Sequence, residues 1–320
     1  MRAFTLDRFG ALPALRDDIP EPNVGDDDLL VRVHAASVNP VDVFIAAGAM
    51  KEMAEHEFPV TLGRDFAGVV EQVGSGVSGY RAGDEVFGFV LHADPAVQDG
   101  SWAELITISV EIVAQKPRSL DFAQAGAAPL AAISALAAFD ALAPAAGETV
   151  LVVGAPGGVG SFFVQLAADA GANVIAPAFP EDHDYLRGLG VSELIDRNAD
   201  LAAALRASHP DGVDAVLDVA SPEPDSSLLS EGGRLASTIG AAGDEPGRAP
   251  ARRIGIQPRR DDPPIRRSLR RGRRCRAPVA SGTTGDRTAG SCLTCAGLQD
   301  ASITDPAARS TRTKSPRCAT

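Results

Sequence analysis

Residues 148–175 constrain the fold of this chain more than any other stretch. They read Glu-Thr-Val-Leu-Val-Val-Gly-Ala-Pro-Gly-Gly-Val-Gly-Ser-Phe-Phe-Val-Gln-Leu-Ala-Ala-Asp-Ala-Gly-Ala-Asn-Val-Ile. Val150 to Val153 form a short apolar run of the kind buried on both faces of a parallel sheet. Gly154, Gly157, Gly158 and Gly160 break that run. From Val159 the period changes, and Val159, Phe163, Leu166 and Ala170 recur at helical spacing. Gly171 stands where a C′ glycine ends a helix, and Asn173 to Ala176 reads as a second strand. Strand, glycine turn, helix and strand in this order make one right-handed βαβ unit.

The chemistry follows from that geometry. A glycine turn feeding a helix leaves backbone N–H groups unpaired at the positive end of the helix dipole, where a diphosphate binds. Gly157 and Gly158 leave room for the ligand beside Val159, and Gly160 lets the helix pack against the strand. An ordinary glycine-rich αβ turn would share the glycines alone. Here all the parts are in register, so a dinucleotide site is expected.

Charge divides the chain in two. Residues 248–320 hold 17 Lys and Arg against 5 Asp and Glu, a balance of +12; residues 1–247 hold 13 against 37, a balance of −24. All four cysteines, Cys275, Cys292, Cys295 and Cys318, lie in the basic part, so residues 1–247 can hold neither a disulfide framework nor a thiolate metal site. No apolar run is long enough to cross a bilayer, and the N-terminus lacks a signal-peptide apolar core. A cytoplasmic protein without membrane partners is expected.

Before the glycine turn the chain reads as short strands with glycine punctuation. Leu29 to Ala35, Phe66 to Gly74 and Gly83 to Gly88 are the clearest, and together they suggest a small all-β barrel. Ser119 to Leu142 is alanine-rich and helical, divided at Pro129. After Ala176 helices and strands alternate: Asp182–Leu189, Glu193–Asp196, Ala199–Ser208, Asp214–Val219 and Gly233–Gly240. That alternation means a doubly wound sheet.

Five motifs then come in one order and spacing: Asn39-Pro40-Val41-Asp42, Gly63-Arg64-Asp65-Phe66-Ala67-Gly68, Gly83-Asp84-Glu85-Val86, Gly100-Ser101-Trp102-Ala103-Glu104 and Gly154-Ala155-Pro156-Gly157-Gly158-Val159-Gly160. Residues 1–247 thereby resemble the medium-chain dehydrogenase/reductase superfamily, in its zinc-independent quinone oxidoreductase branch. The resemblance implies an α/β protein: a GroES-like β-barrel catalytic domain over residues 1–119, followed by a doubly wound Rossmann domain over residues 120–247. It also implies a zinc-independent reductase that moves a hydride from NADPH to a quinone or an α,β-unsaturated carbonyl, with no metal.

The residues bear on that reaction unevenly. Where zinc-dependent relatives place thiolate and imidazole ligands, this chain has Pro40 to Asp42 and Gly63-Arg64-Asp65. Without a metal to stabilise an alkoxide, hydride transfer to a conjugated carbonyl is the easier reaction, because the charge spreads over an enolate. By the resemblance Asn39 and Ser134 flank the nicotinamide, and Ile239 and Gly240 line its far side. Asn39 also reads as a turn residue before proline. Phe44 stands where many relatives have a tyrosine, so a proton would come from water or elsewhere. Arg64 is a candidate carbonyl contact, or a partner of Asp65 or Glu104. Asn39, Phe44 and Arg64 are thus the substrate-pocket candidates, and no catalytic residue is singled out. No acidic residue ends the second strand to bind a ribose hydroxyl. Arg197 ends the third strand, where NADPH-preferring relatives place a 2′-phosphate contact; it also reads as a solvated arginine at a strand end, and the resemblance puts NADP ahead of NAD. The five histidines show no pairing that suggests a triad or a metal site.

Residues 248–320 fit none of this. They contain no Phe, Tyr, Trp or Met, and only 8 of the 73 are Leu, Ile or Val, so a disordered, low-complexity tail is expected. The resemblance implies that this region should finish the Rossmann sheet and then return to the catalytic domain. One reading is a stretch translated out of frame; the other is a genuine basic extension. A homodimer through the usual sheet edge would need a native C-terminal region. Two other functions compete with a reductase: a nucleotide-binding protein with little or no catalysis, inactivated by its abnormal C-terminus, and generic nucleic-acid binding by the arginines. The tail has no aromatic residue for base stacking, so no specific nucleic acid is expected.

Overall fold

A computed structural model describes residues 1–52, 55–90, 96–97, 99–238, 252–255 and 292–294. The first half is all-β apart from one short α-helix and a 3-10 turn at Val110–Ile112: β1 (Ala3–Leu6), β2 (Ala14–Arg16), β3 (Asp28–Ser37), α1 (Pro40–Ala46), β4 (Glu55–His56), β5 (Val60–Thr61), β6 (Asp65–Val73), β7 (Glu85–Phe89), β8 (Ala96–Val97), β9 (Leu105–Ser109) and β10 (Val113–Gln115). β10, β7, β6 and β3 run antiparallel in that order, and β9 also pairs with β3. Alternation selects the inward face. Leu29, Val31 and Val33 of β3 are buried against Phe66, Val70, Val86, Ile106 and Ile108, while Arg32 and His34, which alternate with them, are exposed. This is the GroES-like barrel.

Helix α1 is a feature the sequence reading leaves as a turn. Asn39, in extended conformation, is its N-cap and Pro40 its first residue. The Asn39 backbone N–H donates to Asp42 Oδ2 at 2.7 Å. Ile45 anchors the helix by packing against Leu6, Val60 and Leu62.

The second half alternates: α2 (Phe122–Gly126), α3 (Pro129–Leu142), β11 (Thr149–Val153), α4 (Gly158–Asp169), β12 (Asn173–Ala178), α5 (His183–Leu189), β13 (Val191–Asp196), α6 (Leu201–Ser208), β14 (Val213–Asp218) and β15 (Leu229–Ser237). The parallel sheet runs β13-β12-β11-β14-β15. Along β11 the two faces serve different layers. Val150 and Val152 pack with Ala135, Leu142 and Phe163 of α3 and α4, whereas Leu151 and Val153 pack with Leu205 and Leu228 on the other side. Helices thus cover both faces, as in a doubly wound Rossmann sheet. Each such Val or Leu side chain contributes roughly 1.5–3 kcal/mol on burial. Gly171 closes α4 at φ +84°, as the sequence predicts.

Strand β15 starts at Leu229, ahead of the expected Gly233. Gly232, at φ +78°, is absorbed as an irregularity where the pairing steps from Val213–Leu229 to Ala215–Arg234.

Two short strands from the basic region add to the pairing. β16 (Arg252–Gly255) lies parallel to β15 as a sixth strand, and β17 (Cys292–Thr294) lies antiparallel to β3. One therefore extends the Rossmann sheet and the other returns to the barrel, the two places the resemblance implies. Composition points to neither. Ile239 and Gly240 lie outside the described residues. Among the described residues no helix is long and apolar enough to cross a membrane.

Candidate active site

The glycine turn between β11 and α4 has the predicted shape. Gly154 adopts φ +91°, and its carbonyl accepts from the Gly157 N–H at 3.1 Å. Gly157 is the N-cap of α4, and having no side chain it leaves the first-turn N–H groups uncapped. A Cβ on Gly160 would come within 2.2 Å of the Gly154 carbonyl oxygen, so only glycine lets the helix sit this close to the strand. A Cβ on Gly157 would meet only that same oxygen, at 3.3 Å, which leaves an open cradle over the helix end. A cradle of bare backbone at a positive helix terminus fits a diphosphate. Gly158 differs from expectation in one respect. Its Cβ would meet Ala131 Cβ of α3 at 3.3 Å, so this glycine also serves the packing of α3 against α4. Val159 is half-buried against the core of the sheet.

Ser134 is half-buried on α3, about one turn after Ala131, the residue that packs against Gly158. Arg197 comes to the end of β12 through its backbone, whose N–H donates to Ala178 O at 3.1 Å. Its exposed guanidinium lies 5.6 Å from the centre of the Phe179 ring. This contact holds the cation over an aromatic ring just beyond the carboxyl end of β12.

The substrate-pocket candidates separate. Asn39, half-buried, and Arg64 belong to a polar cluster with the buried Ser37, Asp42 and Asp65. Asp65 is fully buried. Its Oδ2 accepts from the Ser37 hydroxyl and from Asn39 Nδ2 at 2.9 Å, and its Oδ1 accepts from the Leu130 N–H at 2.7 Å. The Asn39 amide also donates to Ser37 Oγ at 2.8 Å. Burial pushes the Asp65 carboxyl up to about 6 against the pull of these donors and of Arg64. Burial likewise pushes Asp42 up to about 6, opposed by the Asn39 backbone donor and by Arg64. The Arg64 guanidinium, also buried, is lowered to about 10, with Asp42 and Asp65 acting in the opposite direction. Arg64 is therefore a buried cation whose charge is favoured by both Asp42 and Asp65. Glu104, the other partner weighed for it, instead takes a forked contact from Arg2, at 2.8 and 2.6 Å.

Phe44 lies apart from this cluster on the outer side of α1, 48% exposed. Nearby aromatics form a separate group, with Phe9 edge-on to His56 and to Phe58 at about 5 Å between ring centres. Among the described residues no three His, Cys, Asp or Glu side chains converge on a point that a metal could occupy. The histidines make local contacts: His209 pairs with Glu193 at 2.9 Å, and His34 stacks on Phe122. His92 lies outside the described residues.

Sequence reasoning missed Asp65 as the centre of the cluster. One signal was there: two adjacent charges, Arg64 and Asp65, between the apolar Val60–Leu62 and Phe66–Ala67. Charges flanked this way are buried, and buried charges need partners.

Known proteins agree with this architecture. Residues 25–118 match the Alcohol dehydrogenase GroES-like domain family. The chain is 34% identical over 248 residues to a 2-methylene-furan-3-one reductase of Solanum lycopersicum, covering 75% of this chain and 63% of that protein. It is 32% identical to the chloroplast envelope quinone oxidoreductase homolog of Arabidopsis thaliana, with 68% of each covered. The quinone oxidoreductase structure from Coxiella burnetii superposes with a TM-score of 0.65 at 31% identity, covering 74% of this chain and 75% of that one. The match spans about six tenths of the length of the first curated relatives, at 63%, 59% and 63%. A GroES-like barrel, a doubly wound sheet with an open glycine cradle, and these similarities together place the chain in the medium-chain dehydrogenase/reductase superfamily, in its quinone oxidoreductase branch.

Proposed function

We propose that this chain is an NADPH-dependent reductase of quinones or α,β-unsaturated carbonyls that works without a metal. The observation that carries the reading is the bare cradle at the N-terminus of α4, where Gly157 leaves the helix uncapped and Gly160 brings it against Gly154. When bound, the reduced nicotinamide supplies a hydride. The chain's own residues hold and orient. The first-turn N–H groups of α4 and its dipole bind the diphosphate, at up to ~2 kcal/mol from the dipole. Arg197, stacked on Phe179, takes the 2′-phosphate that separates NADPH from NADH. Ser134 on α3 and Asn39 at the start of α1 flank the nicotinamide. Pro40 and Arg64 stand at positions where a zinc site would need thiolate or imidazole donors, which supports a metal-free mechanism. Phe44 offers no acidic proton, so water protonates the enolate.

A second reading, nucleotide binding with little or no catalysis, draws on one observation. The amide nitrogen of Asn39 is already engaged by Ser37 and Asp65. Turnover decides between the two. The full chain, assayed against a panel of quinones and enones with NADPH and NADH side by side, is expected to reduce at least one substrate class faster with NADPH. Tight NADPH binding with no turnover across the panel would favour the second reading.

A further inference from the structure

The buried carboxylate Asp65 belongs to neither half of the molecule alone. It begins β6 of the barrel, yet one of its oxygens binds the first turn of α3. Helix α3 has Ala128 at its N-cap and no side-chain cap of its own. The Leu130 N–H, a first-turn donor without an intrahelical acceptor, is satisfied at 2.7 Å by Asp65 Oδ1, from 65 positions earlier. The other oxygen binds Ser37 and Asn39 on the barrel side. Ser134 lies on α3 one turn beyond Leu130. Helices α3 and α4 share a core, with Gly158 against Ala131, so they behave as one body.

We propose that Asp65 is a positioning residue that sets the spacing between Asn39 and Ser134 by binding one carboxylate oxygen to each half of the molecule. This rests on the proposed function, in which those two side chains flank the nicotinamide. A carboxylate suits the task because both oxygens accept. An amide in its place accepts on one side only and turns an N–H towards a donor on the other. Losing one link lets the body of α3 and α4 shift against the barrel. The glycine cradle travels with that body, so the diphosphate site stays intact while the nicotinamide loses its register with Asn39.

The test uses the full chain with Asp65→Asn, and with Ser37→Ala as a milder variant that removes one barrel-side donor to Asp65 together with the acceptor for the Asn39 amide. NADPH affinity is measured by titration, and the emission of bound NADPH at saturation reports the surroundings of the nicotinamide without turnover. Backbone amide exchange over residues 130–134 reports the α3 link. Kinetics with 2-cyclohexenone and 4-deuterated NADPH report hydride transfer. For Asp65→Asn, NADPH affinity is expected to stay within about threefold, while kcat falls roughly 10- to 100-fold and the isotope effect on kcat rises. Bound-NADPH emission changes, and the Leu130 amide exchanges faster. For Ser37→Ala the same signs appear more weakly. Faster exchange with unchanged emission, kcat and isotope effect would reduce Asp65 to a helix cap and overturn the proposal. If Asp65→Asn does not fold, Ser37→Ala decides on the same readouts. Should the wild type show no turnover with any enone or quinone, the proposed function fails, and the emission comparison still judges Asp65.

Discussion

At the scale of single residues, buried charge governs what can be measured. Asp42 is 1% exposed, and burial raises its carboxyl from 3.8 to about 6. Between those values the folded chain holds a proton that the unfolded chain has released. Linkage then makes this group cost stability as pH rises through that window, and the cost vanishes below it. Groups facing Asp42 are Arg64 and Asp65 from the β5–β6 segment and the Asn39 backbone from its own helix. Asp42→Asn keeps an acceptor for the Asn39 N–H and removes the titration. The melting temperature of Asp42→Asn relative to wild type is expected to rise from about pH 4 to about pH 7. Parallel curves across that range would show that Asp42 titrates normally. Arg197 offers a second test. It is exposed and held by a ring contact, so its loss should leave the fold alone. Arg197→Ala is expected to raise the KM for NADPH about tenfold, some 1.4 kcal/mol, with the KM for NADH unchanged. An equal rise for both cofactors would detach Arg197 from the 2′-phosphate.

At the scale of elements, the glycines of one turn divide their labour, and substitutions separate the roles. Gly160→Ala drives a Cβ into the Gly154 carbonyl oxygen at 2.2 Å, so it should lower stability by ~1–3 kcal/mol in a denaturant titration. Gly157→Val places its Cβ in the open cradle, at a φ of −73° that any residue adopts. It should leave unfolding nearly unchanged and weaken NADPH at least about tenfold. Intact NADPH affinity in Gly157→Val would remove the diphosphate from this turn. That contrast also marks what could be read from sequence. Elements with a long period and a local signal are legible: β11, the glycine turn and α4 follow from spacing alone, and so does the break at Pro129 between α2 and α3. Helix α1 has seven residues, too few for a period, and its signal is a cap that also reads as a turn. The reach of Asp65 to Leu130 is a matter of tertiary approach, and no local pattern encodes it. Gly158 shows the same limit: the turn is legible, but its contact with Ala131 depends on where α3 lies.

At the scale of the whole molecule, two chemically different polymers share one chain, and among the described residues the second meets the sheets through two short strands. Residues 1–247 carry a charge of −24 and supply nearly all the buried apolar surface described above; residues 248–320 carry +12 and have 8 Leu, Ile or Val in 73. From that region β16 gives four residues to the edge of the Rossmann sheet and β17 gives three to the barrel. Strand pairing supplies backbone hydrogen bonds. A core also needs apolar side chains at alternating or helical spacing, and this stretch has neither pattern. A genuine basic extension would follow a finished fold. Here the change of composition comes before the last described strand of the sheet, so the basic stretch stands in for a fold element. We infer a shift of reading frame at this junction, since GC-rich codons read in another phase give just such an excess of Arg, Pro, Ser, Thr and Cys. Resequencing across the codons for Gly243 to Gly255 is expected to show the shift, with another phase encoding apolar residues at strand and helix spacing. If the frame is intact and the 320-residue chain unfolds cooperatively and turns over substrate, the basic stretch is native and the frameshift idea is wrong.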